Sequence, residues 1–235
     1  MKLAIMQPYF FPYIGYFQLI NAVDKFVIYD DVNYINRGWI NRNNFLVNGH
    51  ANLFTLPLLE ASQNKKINEI ELLQDDKWKN KFIRTIEQNY KKAPYFEFVY
   101  PVIKNSLLIN ENNIARFNIL QLKAVCDYLN INTEIIPTSG SYNNNHLKGQ
   151  YRILDICMKE QAKVYINPEG GVELYETKNF NEQGIELFFI KSHSVIYKQF
   201  KNEFIPWLSI IDIMMFNTKE TILNFLDQYT LISNE

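Results

Sequence analysis

Apolar and polar residues fall in short blocks along this chain, and the blocks change period. Lys2 to Gln7 is an apolar run closed by Pro8, which predicts a buried strand. A loop bounded by Pro8 and Pro12 follows, and a helix is expected from Gly15 to Val23. "KFVIYD", Lys25 to Asp30, is a second buried strand, so strand, turn, helix and strand make a βαβ unit. Phe45–Val47, Asn52–Pro57 and Ile67–Leu72 alternate over short distances, as antiparallel strands do, and Asn48-Gly49 marks a turn between the first two. Trp78, Phe82, Ile86 and Tyr90 recur every fourth residue and predict a helix over Asp75–Lys91. A second helical region opens at Pro94. A third, Asn112–Leu129, carries the stripe Phe117, Leu120, Ala124 and Tyr128. Strands at Thr133–Ile136, Ala162–Asn167 and Ile185–Ile190, with helices at Leu147–Gln161 and near Thr218–Tyr229, repeat the alternation. The pattern predicts one α/β domain over residues 1–235: a mostly parallel sheet of βαβ units, a small antiparallel extension, and a helical insertion at about residues 75–130.

Composition narrows the classes. The chain has 235 residues, 47% apolar and 21% charged, as globular domains do. Its 15 Tyr and 17 Phe suit an aromatic cleft or a Phe-filled core. A net charge of −1 supplies no basic field for a nucleic-acid backbone. The two cysteines form no CxxC and the three histidines lie far apart, so no metal-ligand pattern is present. Unpaired thiols fit a reducing compartment. No apolar run approaches the ~20 residues of a membrane span. The start lacks a basic segment followed by an apolar one. A cytoplasmic protein is expected. No P-loop, G-x-S-x-G or dinucleotide fingerprint assigns a cofactor.

Several stretches can carry chemistry. In the Pro8–Pro12 loop, prolines fix the backbone, Gly15 permits close approach, and Gln7, Tyr9 and Tyr16 offer polar and aromatic groups at a strand end, where α/β sheets hold ligands. A tightly packed crossover is the plainer alternative. Asp30 and Asp31 end the second strand, as a base, a ribose ligand, a Mg²⁺ ligand or a turn cap. Arg42 beside Trp39 pairs an anion clamp with a stacking ring, or is an exposed loop. Lys148 and Arg152, four apart near a helix start, suit a diphosphate, or a solvated face. Gly170 sits in a glycine turn after a strand. His193, with Tyr197 and Gln199, is the general acid/base candidate by its ordinary pKa. Ser209 suits a helix N-cap.

"MQPYFFPYIGYFQLINAVDKFVIYDDVNY", "NRGWINRNNF", "LKGQYRILDIC", "VYINPEGGVELY", "GIELFFIKSHSVIYKQF" and "IPWLSIIDIMMFN" together resemble the WbqC-like family from Met1 to about Asn217. The family often carries Trp where this chain has Tyr13. Its association with bacterial O-antigen and surface-polysaccharide gene clusters implies a cytoplasmic step on an unusual sugar. The expected ligand is a nucleotide-linked amino sugar and the expected reaction acyl or aminoacyl transfer, with His193, Asp30 or Asp31 as the base. An ATP-dependent ligase or nucleotidylyltransferase is the enzyme alternative, through a fainter likeness of the first βαβ unit. That class carries H-x-G-H where this chain has tyrosines. A non-catalytic sugar-binding or scaffold protein is the other alternative. The sequence leaves a homo-oligomer open.

Overall fold

In the computed structural model, which describes residues 1–73, 75–201 and 203–233, β1 (Lys2–Met6) stops before Pro8, which has no donor for a ladder. α1 (Ile14–Asn21) and β2 (Lys25–Ile28) complete the first βαβ unit. β3 (Arg42–Val47) and β4 (His50–Thr55) pair as a hairpin, with Asn48 and Gly49 both at positive φ as a tight turn requires. β5 (Leu58–Leu59) pairs with β6 (Glu71–Leu72). The continuous strand expected over Ile67–Leu72 is broken: Ile67–Glu69 is a 3₁₀ turn, closed as Lys66 N donates to Glu69 Oε2 at 2.9 Å.

α2 (Asp76–Tyr90) buries its predicted stripe of Trp78, Phe82, Ile86 and Tyr90. α3 (Phe96–Leu107) follows, then α4 (Ile114–Leu129). On α4 the buried face is rotated from the expected one. Phe117 is buried, but Leu120, Ala124 and Tyr128 are only half-buried, and Asn118, Gln121, Leu122 and Val125 face inward. β7 (Glu134–Ile136), α5 (Gly149–Lys159), β8 (Val164–Pro168), α6 (Thr177–Asn181) and β9 (Glu186–Ser192) continue the alternation. α7 (Ile210–Phe216) opens after Ser209, and the terminal helix expected near Thr218–Tyr229 is α8 (Lys219–Leu226), which stops short of Tyr229, where a strand, β10 (Tyr229–Ile232), begins.

The main sheet has the order β10-β9-β8-β1-β2-β7. All neighbours are parallel except β10, which runs antiparallel to β9. Strand alternation sorts two apolar clusters onto opposite faces. Ala4, Phe26, Ile28 and Ile190 pack with α1, α4, α7 and α8, and with the helices of residues 76–129. Leu3, Ile5, Val27 and Phe189 pack with α5 and α6. The chain builds β2 and β7 to one side of β1 and β8 and β9 to the other. The strand order therefore reverses between β1 and β8, and a crevice opens outside the carboxyl ends there.

Candidate functional site

The carboxyl ends of β1, β8 and β9 open into a crevice of about 220 Å³ on the α1 face, lined by Met6, Tyr9, Tyr13, Tyr16, Gly170 and Trp207 among others. Buried polar groups hold the wall built by the Pro8–Pro12 loop. Asn118 Nδ2 donates to the carbonyls of Pro8 and Ile40 at 3.0 and 2.7 Å. Asn43 Nδ2 and Ser209 Oγ donate to the Phe11 carbonyl, both at 2.7 Å. Ile210 N donates to the Pro12 carbonyl at 2.9 Å. These bonds hold Phe11 at φ 38°, a costly conformation for a bulky residue. Gly15 is required by contact: a Cβ there would collide with the Tyr13 ring, which folds back over the start of α1.

The crevice is neutral and aromatic. Tyr16 donates its hydroxyl to the Gln7 carbonyl at 2.7 Å, and its ring lies 5.5 Å from that of Tyr9. Burial raises the pKa of Tyr9, Tyr13 and Tyr16, so all three stay protonated. Opposite stands Trp207, 66% exposed, at φ 61°, with its ring 5.9 Å from that of Tyr13. A large exposed aromatic in a left-handed conformation is a strained feature of the kind found at ligand sites. At the far rim Glu169 pairs with Lys191 at 3.0 Å. A Cβ at Gly170 would meet nothing, whereas one at Gly171 would strike Asn167, so Gly171 is the glycine that packing demands.

A second hollow, about 490 Å³, lies at the same sheet edge on the α5 face. Lys66, His146, Lys148 and Arg152 surround the start of α5, whose N-cap residue makes no side-chain cap. Arg152 is buried. It pairs with Asp31 at 2.5 Å, donates Nε to Asn144 at 3.0 Å and lies over the Tyr29 ring. Asp31 also accepts from Ser139 Oγ. Asp30 accepts from Thr138 Oγ1 at 2.8 Å and Ser139 N at 3.1 Å, and so caps the turn after β7; burial raises its pKa. The cations offered to solvent here are those of Lys66 and Lys148, beside the positive end of the helix dipole.

His193 follows β9 and is exposed. Its Nε2 lies 2.7 Å from Thr230 Oγ1 on β10. It lines a small slot that shares Tyr13, Ser192 and Trp207 with the crevice. Tyr197 and Gln199 turn inward from the same segment. Tyr197 Oη and Gln199 Nε2 each donate to Asp212 Oδ2 at 2.7 Å, and Tyr90 Oη donates to Asp212 Oδ1 at 2.9 Å. Gln199 also closes the strap on both sides of Ile205. Ser209 caps α7, accepting from Ile211 N at 3.3 Å.

The candidates expected to share one hollow therefore divide between two. Tyr9, Tyr16 and Gly170 line the crevice with His193 beside it, while Asp31, Lys148 and Arg152 line the second hollow. Gln7 follows the end of β1 and lines neither hollow. Tyr197 and Gln199 spend their polar groups on Asp212 rather than on solvent. Arg42 and Trp39 line neither hollow: Arg42 donates to the carbonyls of Gly38 and Arg37 and stacks on Trp39, which holds that loop together. Trp207 and Tyr90 were absent from the sequence candidates. Only the isolated aromatic in "IPWLS" gave any signal, for Trp207.

Fold and crevice together define an α/β protein with two hollows at the carboxyl edge of a mostly parallel sheet. The chain belongs to the WbqC-like protein family, whose model matches residues 7–223. It is 30% identical over 216 residues to the uncharacterized protein Rv1507c of Mycobacterium tuberculosis, covering 91% of this chain and 92% of that one. No solved structure matches it.

Proposed function

We propose that this protein is a cytoplasmic enzyme of bacterial surface-polysaccharide (O-antigen) assembly that transfers an acyl or aminoacyl group onto a nucleotide-linked amino sugar. The carrying observation is the contacting, tilted pair of Tyr13 and the strained, exposed Trp207, which line a neutral crevice at the strand-order reversal with His193 close by. Aromatic faces of this kind stack on sugars and bases. Tyr9 and Tyr16 support the same wall.

The second hollow complements the crevice chemically. Lys148, at the uncapped start of α5, faces the diphosphate, and Lys66 stands on the same rim. Arg152 and Asp31 act as positioning residues, because their mutual ion pair fixes α5 against β2. Strands lie about 4.8 Å apart, so a ligand the length of a nucleotide sugar spans the tip of β1 from one hollow to the other, past Gln7.

In the reaction, the sugar amine attacks the acyl carbonyl carbon. The N–C bond forms, and the bond from that carbon to its activating group breaks. His193 takes the amine proton and passes it to the departing group. Positioning amine and carbonyl together lowers the barrier by several kcal/mol, to a ceiling of about 7–11 kcal/mol, and the base adds roughly 10²–10⁴-fold.

The test is a thermal-shift screen with UDP-, dTDP- and GDP-linked amino sugars and Mg-ATP, followed by turnover of wild type and His193→Ala. A raised melting point with a nucleotide sugar, and a loss of at least about a hundredfold in turnover in a folded His193→Ala, support the reading. Tight Mg-ATP binding that needs Asp30 or Asp31 moves it to a ligase, and sugar binding without turnover moves it to a binding protein.

A further inference from the structure

We propose that the slot beside the crevice is a subsite for a short, uncharged acyl group, which makes the donor a small acyl carrier and not an aminoacyl one. This rests on the transfer reading above and narrows it. The slot is walled by Ile14, Val195, Phe204, Pro206, Leu208 and Ile213; Ser192, His193, Ser194 and Tyr197 also line it, the Tyr197 hydroxyl being spent on Asp212. It shares Tyr13, Ser192 and Trp207 with the crevice, so a chain entering it leaves its carbonyl at the place where an amine held by the aromatic pair arrives.

Two properties of the slot select its occupant. Size is the first. Its free volume is about 30 Å³, and one water needs about 10–15 Å³ on that measure. The slot therefore takes about two or three heavy atoms, the length of an acetyl or propionyl group. Its walls do not yield readily. Leu208 and Ile213 are buried, and the strap that carries Phe204 and Pro206 is pinned through Gln199 to Ile205 and Asp212.

Charge is the second. An aminoacyl group brings an ammonium, and a buried ammonium without a partner is costly. No carboxylate lines the slot among the described residues. Two carboxylates adjoin lining residues along the chain: Glu203 is exposed to solvent and absent from the lining, and Asp212 is fully buried and already accepts from Tyr90, Tyr197 and Gln199.

Methyl-resolved NMR on the full chain tests this with simple amides that need no knowledge of the carrier: acetamide, propionamide, hexanamide and glycinamide, the last in its protonated form. The expected result is that acetamide and propionamide move the methyl signals of Ile14, Val195, Leu208 and Ile213. Hexanamide and glycinamide should bind at least about tenfold more weakly. Phe204→Ala should admit hexanamide, and Val195→Ala, on another wall, is the second variant should the first fail to fold. The proposal is overturned if glycinamide or hexanamide binds wild type as well as propionamide does, or if the short amides leave these methyls unmoved. The amide pattern without any nucleotide-sugar binding or turnover counts against the transfer reading and leaves the slot's preference standing.

Discussion

Gly15, Trp207 and the Asp31–Arg152 pair make separable predictions at the scale of single residues. A Cβ at position 15 fits α1 but not the Tyr13 ring above it. Gly15→Ala gains up to about 1 kcal/mol of helix propensity and loses the ring's seat. Its unfolding free energy should stay within about 1 kcal/mol of wild type, while nucleotide-sugar affinity by calorimetry falls about tenfold. Unchanged affinity would mean that Tyr13 is only packing. Arg152 and Asp31 behave oppositely. Removing one member of a buried pair strands the other charge, so Arg152→Met should cost about 3–5 kcal/mol in urea unfolding, and adding Asp31→Asn should recover much of it. A cost below about 1 kcal/mol would show the pair to be solvated.

At the scale of elements, the strap of residues 193–208 is set by a buried carboxylate with three donors. Burial raises the Asp212 pKa even though Tyr197, Tyr90 and Gln199 all donate to it. The sign follows. Below the unfolded value, about 3.9, both states hold the proton. As pH rises past it the unfolded chain ionises first, and the native state loses stability until the folded value is passed. Wild type should therefore gain stability relative to Asp212→Asn as pH falls from about 7 to about 4. A difference that moves the other way contradicts the ionisation assigned here. These elements also show what the sequence could convey. The stripe on α2 and the Asn48-Gly49 turn were legible because periodicity and turn chemistry are local. β10 was not, because a four-residue alternation after a helix is too short to register, and its partner is set by topology. Nor was Asp212, whose partner Tyr90 lies 122 residues away, or Trp207, whose positive φ has no glycine or asparagine to announce it. The Pro8–Pro12 loop was readable as a stiff wall because proline writes its constraint into the sequence. That buried amides from Asn43 and Asn118 complete it was not.

For the whole molecule, the strand order places every carboxyl-edge element on one rim and then divides the rim by the sheet itself. On the proposed reading the crevice takes what is flat and neutral, and the α5 hollow what is negatively charged. The tip of β1 is the ridge between them. The central claim is that one ligand lies across that ridge, with its ring system packed against Tyr13 and Trp207. The most direct measurement is a crystal structure of the protein soaked with the nucleotide-linked amino sugar that most raises its melting point. The account predicts density for a ring packed against Tyr13 and Trp207, and for the diphosphate beside Lys148 at the start of α5. Density confined to the outer surface, or a ligand that avoids both hollows, would contradict it.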